Sequence, residues 1–237
     1  MKQHNSSPEE IERFDRLAAE WWDPEGPMAP LHRMNPTRID YLIQVLTNHF
    51  KQIKNLNILD VGCGGGLTAE ALACEGAKVT GIDGAADLIA VAQAHARAEK
   101  LKITYRAALT PELIKEKQQF DVVLALEVIE HVPDQGQFVA DLARLVHPGG
   151  LVVFSTLNRS AASMAFGVIA AEYLLRWLPA GTHDWQKFVK PSELFTLCQE
   201  NGLQPTGTMG LTYSPLQGFK LDQDNLKINY FMTAIPA

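Results

Sequence analysis

The chain is predicted to fold as an α/β protein with a mostly parallel, seven-stranded sheet and helices on both faces. Three observations carry this. Between Asn57 and Thr156, short apolar strands alternate with helical stretches. The first of these strands runs into a glycine-rich turn that opens a helix. The second ends on a carboxylate, Asp83, 21 residues beyond the first glycine of that turn.

The elements follow in order. Ser7-Pro8-Glu9-Glu10 has the pattern of an N-cap, a proline at the first helical position and a carboxylate able to close a capping box. Ile11, Phe14, Leu17, Ala18 and Trp21 then recur at helical spacing, so the spacing predicts a helix that Asp23-Pro24 stops. A loop rich in Pro and Gly is expected from Asp23 to Pro36, with a second helix from about Thr37 to Phe50. The alternating part reads as strand Asn57–Val61, helix Leu67–Glu75, strand Lys78–Asp83, helix Ala86–Glu99, a weaker strand at Ile103–Arg106 and a strong one at Phe120–Leu126. A helix from about Gln137 to Val146, a turn at His147-Pro148-Gly149-Gly150 and a strand at Leu151–Thr156 come next. Residues 158–190 break the rhythm and read as an insertion. A helix at Pro191–Asn201 and strands near Leu203–Met209 and Ile228–Ala234 finish the sheet. The division expected is a helical cover over residues 1–52 and a sheet domain over 53–237.

Bulk properties narrow the function. The 237 residues are 46% hydrophobic and 20% charged, the balance of an ordinary globular protein. A net charge of -6 with no basic block is a poor match for a phosphate backbone, so no nucleic-acid partner is expected. Cys63, Cys74 and Cys198 have neither CxxC nor zinc spacing and read as reduced thiols of a cytoplasmic protein. Met1–Ser7 lacks the apolar stretch of a signal peptide, and no run reaches the roughly 18 apolar residues of a membrane span.

The chemistry begins at Leu59-Asp60-Val61-Gly62-Cys63-Gly64-Gly65-Gly66. Gly62 and Gly64 let the backbone turn sharply and approach a ligand. Asp83 is placed to accept hydrogen bonds from both ribose hydroxyls of an adenosine. A nicotinamide site would want a third glycine where Leu67 stands. Asp60, just before the first glycine, would repel a phosphate; it suits the sulfonium and amino group of S-adenosylmethionine.

These residues together resemble a class I methyltransferase of Rossmann-like fold. Trp21-Trp22-Asp23-Pro24-Glu25-Gly26 and Pro30-Leu31-His32-Arg33-Met34-Asn35-Pro36-Thr37-Arg38 resemble, more narrowly, the N-terminal signature of the ubiquinone biosynthesis O-methyltransferases. Ser155-Thr156-Leu157-Asn158-Arg159 and Gly181-Thr182-His183-Asp184 do so as well. The resemblance implies methylation of ring hydroxyls on a 2-polyprenyl-6-hydroxyphenol and on 3-demethylubiquinol, and cofactor contacts at Arg38, Gly62, Asp83 and Leu126. It also implies a place among the proteins of that pathway, as part of a complex. Where the family usually carries an acidic or amide residue after the third strand, this chain has Ala107-Ala108. Alternatives are a methyltransferase for another phenol or for a quinone carbon, and a non-catalytic cofactor-binding subunit.

Methyl transfer needs an anionic acceptor oxygen, and a phenol has a pKa of about 10. Glu127, Glu130 and His131 follow the fourth strand, on the rim where such sheets bind ligands. Their spacing would gather them on one side of a helical turn. Two readings stay open. Glu127, Glu130 and His131 could hold Mg2+ or another divalent cation that lowers the hydroxyl pKa. Otherwise Glu130 and His131 are the catalytic pair, with His131 shaping the site or acting as general base. His183 and Asp184 form a second acid-base candidate, and His32, His49, His95 and His147 read as surface or packing residues. Ala161–Ala180 is apolar apart from Glu172 and Arg176 and is expected to lie on a phospholipid surface, anchoring the protein to the inner face of the membrane, with a lid or core helix as the other reading.

Overall fold

A computed structural model describes residues 7–164 and 185–237. The alternation seen in the sequence closes into one sheet. Strand β1 (Asn57–Val61) lies between β2 (Lys78–Asp83) and β4 (Phe120–Leu126), parallel to both. β3 (Thr104–Ala107) extends the sheet beyond β2, and β5 (Val146–Leu157) extends it beyond β4, again in parallel. Direction then reverses. β6 (Leu203–Ser214) pairs antiparallel with β7 (Gly218–Asp222) and with β8 (Asn229–Pro236), and β8 fits antiparallel against β5. The order is β3-β2-β1-β4-β5-β8-β6-β7.

The sheet therefore has eight strands among the described residues, one more than the seven expected. The addition is β7, which a short loop folds back onto β6 with Gly218 at φ 71°. The left-handed conformation needed at that corner suits glycine.

Alternate residues of β4 face opposite cores, as the two-residue period of a strand requires. Val123 and Ala125 pack with Phe138, Leu142 and Leu145 of α6 (Gln135–Leu145) and with Leu194 of α8 (Pro191–Glu200). Val122, Leu124 and Leu126 pack with Leu42 and Leu46 of α2 (Ala29–Phe50), Leu72 of α3 (Leu67–Cys74) and Ala92 of α4 (Ala86–Ala98). These two cores set the sheet between helical layers.

Several boundaries differ from expectation. The first helix stops early: α1 spans Pro8–Asp15, and a separate 3-10 turn holds Ala18–Glu20. Ser7 caps it and Pro8 opens it, but the Ser7 side chain makes no capping bond. The Glu10 carboxylate lies instead 3.3 Å from His131. α2 starts at Ala29, so Pro36 lies inside a helix instead of ending a loop. The cost of a missing N–H is offset because Met34, Arg38, Tyr41, Leu42 and Leu46 form one buried stripe across the proline. α5 (Thr110–Lys115) was not expected; Pro111 in its first turn and a Leu109 N–H donating to Glu112 Oε1 at 3.0 Å set its start. The His147–Gly150 turn is absorbed into β5 as a shift of register against Phe120–Val122.

A short helical turn, α7 (Ala161–Ser163), follows β5. Most of the apolar insertion, together with His183 and Asp184, lies outside the described residues. Among the described residues no helix is long and apolar enough to cross a membrane.

Candidate functional site

The parallel strands end on one rim, at Val61, Asp83, Ala107 and Leu126. A cavity of about 540 Å³ lies between this rim and the N-terminal segment that runs from α1 into α2. Arg38, Asp60, Gly62, Gly64, Asp83 and Leu126 all line it, so every cofactor residue expected from the sequence reaches the same space.

The loop after β1 is tied down before any ligand enters. The amides of Gly62 and Cys63 donate to Ile82 O at 2.8 and 3.0 Å. Gly64 N–H donates to Asp83 Oδ2 at 2.9 Å, and Ala85 N–H to Asp83 Oδ1 at 2.8 Å. Burial raises the Asp83 pKa, while these bonds to the charged form oppose the rise. Each carboxylate oxygen keeps a lone pair for a ribose hydroxyl. Gly64 sits at φ 53°, and a Cβ there would stand 2.4 Å from Cζ2 of Trp21. The glycines thus admit an indole as well as a ligand, a use the sequence alone did not suggest.

Arg38 reaches the rim because α2 runs unbroken through Pro36. Its side chain is buried, which lowers the guanidinium pKa against the pull of Glu127, Asp60 and Glu130. Nη2 donates to Met34 Sδ at 3.9 Å, and Nε has no hydrogen-bond partner among the described residues. Asp60 is buried too, and burial pushes its carboxyl up to about 7, with Arg38 opposing. Its Oδ2 likewise has none among the described residues. A buried donor and a buried acceptor left open on one cavity wall match the carboxylate and ammonium of an amino-acid group, the end that S-adenosylmethionine carries.

Beyond β4, Glu127 takes a left-handed conformation (φ 59°). Its Oε1 accepts from Ser155 Oγ at 2.6 Å and from Asn229 Nδ2 at 3.0 Å. Glu130 is 2% exposed and accepts from Thr156 Oγ1 at 2.8 Å. Burial, then the charge of Glu127, raises its pKa. Glu130 does not line the cavity; Glu127 and His131 do. His131 Nδ1 lies 3.3 Å from Glu10 Oε2, and Phe14 meets the imidazole edge to face with centroids 5.4 Å apart. Burial disfavours the imidazolium, but Glu10 and Glu130 outweigh it and the His131 pKa is raised.

The metal grouping of Glu127, Glu130 and His131 does not form. Among the described residues no three His, Cys, Asp or Glu side chains are grouped to hold a metal ion. The expectation assumed one helical turn through all three. In the structure only Ile129–His131 turn, as a 3-10 helix, and Glu127 precedes it in a left-handed conformation that aims its carboxylate at β5 and β8. In this arrangement the three side chains are not gathered around one point.

The N-terminal segment is stitched to the loop and to the helices behind it. Trp22 Nε1–H donates to Gly65 O at 3.1 Å, and its ring stacks on His95 at 3.5 Å with 2° between planes. His95 Nδ1 stands 2.8 Å from Glu70 Oε2, and Asn35 Nδ2 donates to Leu67 O at 3.3 Å. Sequence reasoning missed Glu10, because its partner lies 121 positions away and its local pattern reads as a cap.

Comparison with known proteins identifies the family. Residues 31–207 match the family described as Methyltransferase domain. A ubiquinone biosynthesis O-methyltransferase of Azorhizobium caulinodans is 45% identical over 97% of this chain and 94% of its own length. Those of Maricaulis maris and Pelagibacter ubique are 44% and 42% identical, over 96% and 93% of this chain and 92% and 94% of theirs. Among solved structures, magnesium protoporphyrin IX methyltransferase from Synechocystis PCC 6803 with bound SAH superposes with a TM-score of 0.69 at 17% identity, covering 95% of both chains. That likeness shows the fold.

Proposed function

The chain belongs to the ubiquinone biosynthesis O-methyltransferase family, and we propose that its cavity carries out S-adenosylmethionine-dependent O-methylation of polyprenylated phenols and quinols, 2-polyprenyl-6-hydroxyphenol and 3-demethylubiquinol among them. The observation that carries this reading is His131 on the wall of the cavity that Arg38, Asp60 and Asp83 also line. S-adenosylmethionine, when bound, would supply an electrophilic methyl group on a sulfonium for the acceptor's phenolate oxygen.

The chain's own residues do the rest. Asp83 would hold the ribose, and Arg38 and Asp60 would hold the amino-acid end. His131 accepts the phenol proton, and Glu10 holds the ring and stabilises the imidazolium that results. Glu130 acts on His131 through its charge, without touching substrate. Ile11, Phe14, Leu17, Val132 and Phe138 make the cavity apolar around the acceptor ring and exclude water. Residues 1–52 serve as the cover of a catalytic domain over 53–237. Holding both reactants in an attack geometry contributes roughly 7–11 kcal/mol to lowering the barrier.

The test is methyl transfer to a short-chain 2-prenyl-6-hydroxyphenol, with the product identified by mass spectrometry and NMR. A methoxy product is expected. No product, under conditions where the cofactor is shown to bind, would overturn the assignment for this acceptor.

The apolar stretch 161–180 is proposed as the contact with phospholipid at the inner face of the membrane, where a polyprenylated acceptor resides and where a complex of pathway enzymes would assemble. Its support is composition, with Glu172 and Arg176 as the only charges among the 20 residues. The double substitution of Phe166→Glu and Leu174→Glu is expected to abolish liposome flotation; unchanged flotation would remove the idea.

A further inference from the structure

Apart from Glu10 Oε2, which faces His131 at 3.3 Å, three residues lining the cavity carry a buried polar atom with no hydrogen-bond partner among the described residues: Arg38 at Nε, Asp60 at Oδ2 and Trp21 at the indole Nε1. The first two match an amino-acid group, as argued above. The third has no use in the family assignment. Trp21 is 5% exposed, and a buried N–H left unpaired is costly, so such a donor is usually placed for an acceptor. The backbone that carries the indole is held on both sides. The Trp21 backbone amide donates to Ala18 O at 3.2 Å, His32 Nε2–H donates to the Trp21 backbone carbonyl at 2.8 Å, and the Trp22 indole donates to Gly65 O. The ring lies across Gly64 and Gly65, where added Cβ atoms would stand 2.4 and 2.2 Å from it.

Position along the loop says which part of the ligand the indole meets. Asp83 grips Gly64 from the β2 side, where the ribose belongs. Trp21 lies against Gly64 and Gly65 and lines the cavity that Arg38 and Asp60 also line. We propose that Trp21 is a cofactor-binding residue whose indole N–H donates to the carboxylate of the amino-acid arm of S-adenosylmethionine, beside Arg38, leaving Asp60 Oδ2 for the ammonium. Two donors then face the carboxylate and one acceptor faces the ammonium, and all three open atoms are used. The proposal rests on the cofactor reading of the site but not on the identity of the methyl acceptor.

The test separates the arm from the nucleoside. Trp21→Phe keeps an aromatic ring against the glycines and removes the N–H. Calorimetric titration with S-adenosylhomocysteine and with 5′-methylthioadenosine, which lacks the amino-acid arm, compares the two ligands on wild type and variant. Loss of a hydrogen bond to a charged group is expected to weaken S-adenosylhomocysteine by about 10- to 100-fold and to leave methylthioadenosine unchanged. Equal weakening of both ligands would make Trp21 a packing residue only, and no change in either would remove the proposal. Wild type that fails to bind S-adenosylhomocysteine would overturn the cofactor reading itself. Should Trp21→Phe not fold, the wild-type indole 15N–1H resonances decide, assigned by substituting the other three tryptophans. The Trp21 signal should move downfield with S-adenosylhomocysteine and not with methylthioadenosine; a signal indifferent to the arm refutes the contact.

Discussion

Replacing Gly65 by alanine would test the docking of the N-terminal cover on the glycine loop. The added Cβ would stand 2.2 Å from Trp21 Cδ1, 2.5 Å from Nε1 and 2.6 Å from Cγ. Ordinary contact begins near 3.4 Å, so the indole must retreat by about 1.2 Å. It has little room to do so. Trp22 is held at 3.1 Å to Gly65 O and stacked at 3.5 Å on His95, so the segment cannot slide as a unit. Overpacking of this kind costs about 1–3 kcal/mol. Trp21→Ala alone removes a buried aromatic and costs about 3–5 kcal/mol. In the Trp21→Ala background the same Cβ at Gly65 meets no ring, and its cost should fall to within about 0.5 kcal/mol of zero. Urea unfolding of the two single variants and the double variant, followed by circular dichroism at the helix band, measures the coupling. The expected coupling is about 1–3 kcal/mol, with the double variant more stable than additivity allows. Additive effects would mean that the indole does not rest on Gly65, and the account of the cover would fail with it.

Other outcomes follow from the same site. Asp83→Ala removes the acceptor of two backbone bonds and of the ribose, and should weaken S-adenosylhomocysteine by about 10- to 100-fold in calorimetry; an unaltered affinity would place the ribose elsewhere. Glu10→Gln withdraws a charge that raises the His131 pKa, so the imidazole should titrate at lower pH by NMR. A base must be neutral to accept a proton, so the rising limb of kcat/KM should shift to lower pH in the same variant; a fixed limb would clear His131 of that role. The Asp60 carboxyl is pushed from 3.8 to about 7 in the folded chain. The stability from its protonated form is therefore complete below about 4 and lost as pH rises through about 7. In the ligand-free protein, Asp60→Asn should shrink the difference between urea midpoints at pH 4 and pH 8, and an undiminished difference would show that the carboxyl is not perturbed.

The local patterns of this chain carried most of its fold. β1, β2 and β4 could be read because a short apolar run bounded by turn residues is a signal within one window, and Asp83 and the glycines stand at strand ends that such windows define. Arg38, Asp60, Gly62, Gly64, Asp83 and Leu126 were named from motif and resemblance, and they meet in one cavity because the parallel strands bring their carboxyl ends to one rim. What the tertiary structure decided concerns partners far apart in the chain. α2 continues through Pro36 because a buried stripe on the sheet outweighs the proline, which no local window weighs. Glu10 leaves its capping role for His131, and the glycine loop admits Trp21, across separations of 121 and more than 40 residues. Glu127, Glu130 and His131 share a spacing but not a direction, because one backbone torsion at Glu127 turns its carboxylate toward Ser155 and Asn229. Sequence periodicity specifies which face a residue occupies within its own element; side-chain pairing between elements is set by packing free energies that exist only once the sheet has assembled.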